Sequence, residues 1–368
     1  MVILQGFYWD CHKDWYKELD ALVDALSKKG FKKIWLPPPS RGMNGDDSMG
    51  YDIKEHYNLN SRFGTKKDLK NLIKNLQSKG IEVLADVVMG HMVGGDREPN
   101  PSLSDERVQV ETWTRFTEKR FPKNHKHFCH NCGNCESNNE FGETICYYSD
   151  NEYMKNGLIK WCEWLKNNIG YDGFRIDNCK DIRWDFLKEW KENFNCFTMG
   201  ELWDGDISYI DDFRNQTKID TLNFPMFYKL KEMCMNPEFD MRKIYGMSYP
   251  GMVNFVSNHD IGRTENGYTK DIVENKELAY AYILFQNEPA VIFWKDYFDY
   301  DLKKKIDPLI KINNNRKENE LNYLDSDLYV VTKGDKTLLL NNGKSKREYA
   351  GFEIKPRSYK IVNKCEIQ

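Results

Sequence analysis

Short apolar runs alternate with amphipathic ones along most of the chain. "VILQGFYW" (2 to 9) reads as a strand, and a helical stretch from Trp15 to Lys29 follows, closed by Gly30. "KKIWLPP" (32 to 38) predicts a second strand, with a long loop after it. "TKKDLKNLIKNLQSKG" (65 to 80) is amphipathic, with a Thr cap and a terminal Gly. "IEVLADVV" (81 to 88) is a third strand. A long polar insertion runs from about Met92 to Asp150, and the helix "NGLIKWCEWLKNNIG" comes next. "DGFRID", "FTMGEL", "DTLNF" (220 to 224), "MVNFVSN" and "EPAVIFW" (288 to 294) supply the remaining inner strands. Eight β-then-α units predict an α/β chain built on a (β/α)8 barrel. The barrel is expected over 1–91 and 151–315, with 92–150 as a loop-rich insertion. Beyond Arg316 the texture becomes "LYVVTKG", "KTLLLNNG" and "SYKIVNK", which predicts a small antiparallel β domain over 316–368.

Polar residues interrupt this pattern at the strand ends, where such barrels carry their chemistry. The third strand ends in Asp86 with His91 beyond it, and the fourth in Arg175 and Asp177. The fifth ends in Glu201, with Trp203 and Asp204 following, and the seventh in His259 and Asp260. A lone strand-end Asp is ordinarily a helix cap, and a lone His an ordinary hydrogen-bonded residue. So many on one rim predict a functional mouth instead. Arg175 and Asp177 stand two apart on a strand, so they share a face. A guanidinium there is expected to lower the pKa of the neighbouring carboxylate.

Composition narrows the options. Lys and Arg number 54 against 57 for Asp and Glu, so no basic surplus exists to hold nucleic acid. Runs such as "AVIFW" (290 to 294) fall far short of the ~20 apolar residues of a membrane span. Aromatics reach 14%, enough for a large core and for a cleft that stacks sugars. No signal peptide precedes "MVILQGFYWD", which favours a cytoplasmic protein, or a secreted one if a leader has been removed; a monomer is expected.

Four motifs occur in order: "DVVMGH" (86 to 91), "GFRIDNCK" (173 to 180), "GELWD" (200 to 204) and "FVSNHD" (255 to 260). With "MGYDIKEHYNLNSRFGT" (49 to 65) they make the chain resemble the α-amylase family of glycoside hydrolases over essentially its whole length, most of all plant and bacterial α-amylases. The resemblance implies an enzyme acting on α-glucans. By position it makes Asp177 the nucleophile, Glu201 the general acid/base and Asp260 the third carboxylate that steadies the transition state. It makes Tyr51, His91, Arg175 and His259 the groups that hold the sugar at the cleavage point, and Lys180, with Trp203 nearby, the contact to the neighbouring sugar. Retention at an α-glucosidic bond needs this division of labour: one carboxylate ionised to attack and one carboxyl protonated to release the leaving oxygen.

Two positions depart from the family. Gly90 stands where the family carries an Asn that binds calcium, and Asp181 stands where many members have a His whose carbonyl joins the same site. Weakening or loss of that calcium site is expected, unless Asp181, Asp96 or Asp105 compensates. Cys129, Cys132 and Cys135 are spaced C-x2-C-x2-C, among His125, His127 and His130. Such spacing suits zinc, with free thiols or disulfides as the alternatives. No cofactor is needed for the chemistry itself. An oligosaccharide-specific hydrolase, a transglycosylase and an inactive amylase-like binding protein are the competing readings. The last would be expected to lack one of the catalytic carboxylates, and this chain has all three.

Overall fold

A computed structural model describes residues 1–129, 141–148, 151–264, 267–268, 274–315 and 317–367. Eight parallel strands close into a barrel: β1 (Val2–Gln5), β2 (Lys33–Trp35), β3 (Glu82–Val87), β4 (Gly173–Ile176), β5 (Thr198–Gly200), β6 (Asp220–Leu222), β7 (Met252–Phe255) and β8 (Ala290–Phe293). β1 pairs with β8 as well as β2, which closes the ring. β1, β2, β4, β5, β7 and β8 are buried throughout, and β3 from Val83 onward, because an inner barrel strand meets side chains on one face and helices on the other.

The helices of this ring are α1 (Trp15–Lys29), α2 (Lys66–Ser78), α3 (Glu152–Trp164), α4 (Trp184–Glu192), α5 (Ile207–Thr217), α6 (Phe224–Met235), α7 (Lys276–Leu284) and α8 (Lys303–Asn313). Their ends follow local chemistry. Gly30 takes the left-handed conformation that stops α1. Thr65 and Asp68 form the capping box that starts α2. After α3 a π turn from Leu165 to Ile169 brings the chain round to Gly170, whose φ of 110° ends it. Trp15, Trp35, Trp161, Trp164, Trp190 and Trp294 are buried, so much of the aromatic excess is core.

β1 is shorter than its apolar run predicts. Gly6 N–H still reaches Trp35 O, but Phe7, Tyr8 and Trp9 leave the ladder and turn across the barrel mouth. The insertion carries antiparallel pairs, His91–Met92 with Glu143–Thr144 and Asp96–Pro99 with Glu111–Arg115. Glu118 clasps it to the barrel by accepting the N–H groups of His56 and Tyr57, while Lys123 Nζ sits 3.0 Å from His56 Nδ1.

The C-terminal sheet is antiparallel in the order β9 (Asn319–Leu324), β10 (Leu328–Lys333), β11 (Lys336–Asn341) and β12 (Ser358–Asn363). Tyr329, Val331, Leu338 and Leu340 join the main core. Leu328, Val330 and Leu339, on the alternate positions, pack with Ile354 and Val362 in a second small cluster. Among the described residues no helix is long and apolar enough to cross a membrane.

Gly173 opens β4 where backbones crowd. A Cβ there would lie 2.3 Å from Phe197 O and 2.9 Å from Leu84 Cδ2. Gly173→Ala is therefore expected to destabilise the protein by about 1–3 kcal/mol, seen as a lower urea midpoint, because the β4–β5 ladder must shift to admit the methyl.

Candidate active site

The strand register assembles the site. Arg175 of β4 is the direct partner of Asp86 on β3 and of Met199 on β5. Asp177 lies just past the end of β4, two residues on from Arg175, and Glu201 just past β5, so both stand at the C-terminal mouth above the guanidinium. Arg175 is wholly buried. Its Nη1 donates to Asp86 Oδ1 at 2.8 Å and to Asp177 Oδ1 at 2.7 Å. Its Nη2 lies 2.8 Å from Glu201 Oε1, close enough to pair as ions but not aligned as a hydrogen bond. Glu201 Oε2 accepts a longer bond, 3.2 Å, from Asn178 N–H.

One guanidinium thus serves three carboxyls, which changes the expected electrostatics. Burial pushes the Asp177 carboxyl well up, Arg175 opposes this, and Glu201 and Asp86 add to the rise. Burial raises Asp86 too, against Arg175 and the hydrogen bonds from Tyr51 and Trp35. Arg175 lowers Asp177 as expected, but burial first, and then the neighbouring Glu201 and Asp86, outweigh it, so the net direction is upward. Buried carboxylates that share one cation raise one another, and Asp86 and Asp177 both shift upward here.

A cleft of about 730 Å3 opens above this floor. Tyr51, His91, Asp177, Lys180, Glu201, Trp203, His259 and Asp260 all line it, so every site residue expected from the motifs is brought together, with Arg175 beneath. Tyr51 OH donates to Asp86 Oδ2 at 2.7 Å and Trp35 Nε1 to the same atom at 2.9 Å, which orients the tyrosine over the guanidinium. His91 Nε2 lies 2.8 Å from Tyr51 O, so that nitrogen carries the proton and Nδ1 is left as an acceptor with no protein hydrogen bond. Burial lowers the His91 pKa, which keeps the ring neutral. Lys180 Nζ donates to Asp204 Oδ2 at 2.9 Å. Trp203, 37% exposed, stacks on Phe224 at 4.7 Å and donates from Nε1 to Tyr228 OH.

Other residues of the cleft escaped the motif reading. Trp9 lies parallel to Tyr51 and to His259, at 5.6 and 6.1 Å between ring centres. Phe141 approaches His91 at 5.9 Å, and Asn44, Asp47 and Ser48 come from the loop after β2. Their signal was weak: Trp9 reads as the end of a strand, and the others sit in loops whose course only folding decides.

The calcium positions meet each other. A Cβ on Gly90 would lie 3.4 Å from Asp181 Cβ. The Gly90 carbonyl accepts from Ile145 N–H at 2.9 Å, and Asp181 Oδ2 accepts from Asn178 Nδ2 at 2.7 Å. Asp105 accepts from the N–H groups of Arg107 and Val108 within its own turn, and Asp96 is exposed. Among the described residues no three His, Cys, Asp or Glu side chains gather where they could hold a metal ion. These oxygens do not fit the six to eight that calcium takes. In the cysteine triplet, Cys129 is buried and disulfide-bonded, and Cys132, Cys135 and the zinc expectation that rests on them lie outside the described residues.

Carboxyls gathered on one buried arginine, at the C-terminal mouth of a (β/α)8 barrel, make the kind of cleft in which enzymes of this fold carry their chemistry. The family model of the α-amylase catalytic domain matches residues 20–320, and the chain belongs to that family of glycoside hydrolases. It is 27% identical to the chloroplastic α-amylase 3 of Arabidopsis thaliana over 92% of its own length, but spans only 41% of that protein. It is 27% identical to a glucan 1,4-α-maltohexaosidase of a Bacillus species, covering 84% of this chain and 74% of that one. In fold it is similar to the α-amylase of Geobacillus thermoleovorans solved with acarbose, with a TM-score of 0.72, 19% identity, and coverage of 98% of this chain and 97% of that one.

Removing the shared cation has a definite sign. In Arg175→Met the acid limb of kcat/KM against pH is expected to move upward by about one pH unit or more, since losing a nearby positive charge raises the carboxyls it served. A pH–rate profile of the folded variant checks this.

Proposed function

We propose that the protein hydrolyses internal α-1,4-glucosidic bonds of starch, glycogen or maltooligosaccharides by a retaining double displacement. The observation that carries this reading is the unequal hold of one guanidinium on two neighbouring carboxyls. Asp177 receives an aligned, charge-assisted hydrogen bond of 2.7 Å, and Glu201 receives none from Arg175. Such a bond favours the ionised form of the carboxyl that receives it, which suits Asp177 to attack and leaves Glu201 the role of acid. Retention needs the two carboxyls about 5–5.5 Å apart, and contact of both with one guanidinium supports that they are neighbours.

The steps follow from these placements. Asp177 attacks the anomeric carbon while Glu201 gives its proton to the leaving glycosidic oxygen, and a glucosyl ester forms on Asp177. Glu201, now ionised, takes a proton from water as that water attacks the anomeric carbon. The ester bond breaks, and Asp177 leaves as the carboxylate with the configuration restored. Asp260 and His259 face the sugar as positive charge develops on it, and His91 Nδ1 offers an acceptor to a sugar hydroxyl. Lys180 and Trp203 receive the leaving-side sugar. The names of the relatives, and the acarbose bound to a structural neighbour, support an α-glucan as substrate.

Maltooligosaccharide products observed by NMR before mutarotation are expected to be α-anomers. Asp177→Asn and Glu201→Gln, both nearly isosteric, are each expected to lower kcat by several orders of magnitude. Initial β product, or a folded Asp177→Asn protein of full activity, would remove the assignment. With soluble starch, iodine colour collapsing before reducing ends accumulate would mark internal cleavage.

We further propose that the protein stands without the family's calcium, its insertion joined to the barrel mouth by the Ile145–Gly90 hydrogen bond while the Asn178–Asp181 bond steadies the loop after β4. An ion at a thousandfold excess over its Kd adds about 4 kcal/mol. EGTA is accordingly expected to move Tm by no more than about 1 °C, under about 1 kcal/mol for a chain of this length. A fall of many degrees, reversed by calcium, would show an intact site.

A further inference from the structure

His259 is boxed by rings. Phe7 lies 5.1 Å away, Trp35 meets it edge-on at 5.7 Å, and Tyr51 lies parallel at 5.1 Å. Its two nitrogens face different chemistry: Nε2 lies 3.3 Å from Asp260 Oδ2, and Nδ1 lies 2.8 Å from Gln5 Nε2. A carboxylate only accepts, so the nitrogen beside it carries a proton. A neutral ring then has a bare Nδ1 that needs a donor, and the amide NH2 of Gln5 is one.

Gln5 ends β1 and is wholly buried. Its Oε1 has no hydrogen-bond partner, and the bond to His259 is the one its side chain makes among the described residues. A buried amide with its oxygen unmet costs stability that a methionine of similar size would not. Stability therefore does not account for a glutamine in the barrel wall.

We propose that Gln5 is a positioning residue that fixes His259 as its neutral Nε2–H tautomer, aiming that N–H toward Asp260 and the cleft. The amide donates to Nδ1 and so excludes the Nδ1–H form, which would turn a bare nitrogen toward the carboxylate. His259 is then pre-set as a donor in the cleft, without reorganisation during the reaction.

The test has a spectroscopic arm and a kinetic arm, and only the kinetic arm rests on the retaining-amylase reading. Long-range 1H–15N correlation spectra of the folded protein, with His259 assigned by comparison with His259→Asn, are expected to show the proton on Nε2. Gln5→Glu has the same size but only accepts, so it is expected to place a proton on Nδ1. Gln5→Met, which offers no donor, is expected to leave a mixture of tautomers. With maltooligosaccharide, both variants are expected to lose about tenfold in kcat, the worth of one misdirected hydrogen bond, with KM nearly unchanged. A wild-type ring protonated on Nδ1 would overturn the proposal. So would a Gln5→Glu or Gln5→Met protein that keeps both the wild-type ring signature and the wild-type kcat. If no form turned over any α-glucan, the proposed activity would fail while the tautomer result still decided the role of Gln5.

Discussion

The buried guanidinium of Arg175 is the constraint on which the active site depends. A cation at the centre of a barrel is tolerated only if carboxylates surround it, and here strands β3, β4 and β5 each bring one. Those carboxylates outnumber it, and burial with mutual repulsion holds the Asp86 and Asp177 carboxyls above their ordinary range near 4 despite the guanidinium. Stability and chemistry are thereby tied to the same atoms.

The aromatic residues around the cluster act at one remove. Trp35 and Tyr51 both donate to Asp86, and both rings lie against the Arg175 guanidinium, at 4.9 and 5.9 Å from ring centre to Cζ. Tyr51 in turn lies against His259 and Trp9. A side chain that looks like a sugar contact from within the cleft is, from below, part of the wall that orders the charges. Substitutions among these rings would disturb binding and protonation together.

The join between insertion and barrel shows a second economy of parts. At the positions where family members carry calcium ligands, Gly90 O accepts from Ile145 N–H and Asp181 accepts from Asn178 Nδ2, with Gly90 small enough to let Asp181 approach. Tyr147 OH also donates to Met89 O beside them. The bonds from Ile145 and Tyr147 tie the end of the insertion back to the loop after β3.

Much of this was legible in the residues. Strand and helix periodicity, the glycine after Lys29 and the threonine before Lys66 marked the barrel units, because those signals act within a few residues of where they stand. The strand-end motifs named the carboxylates, since a strand's last inward positions lie on the mouth whatever the loops do. What the linear order could not decide was every quantity that depends on residues far apart meeting. Asp86 lies 89 residues before Arg175 and shares its charge. Gln5 lies 254 residues before His259 and meets its Nδ1. The electrostatics of the cluster, the hydrogen bond at the histidine and the meeting of Gly90 with Asp181 arise from burial and proximity in three dimensions, and those exist only once the barrel has closed.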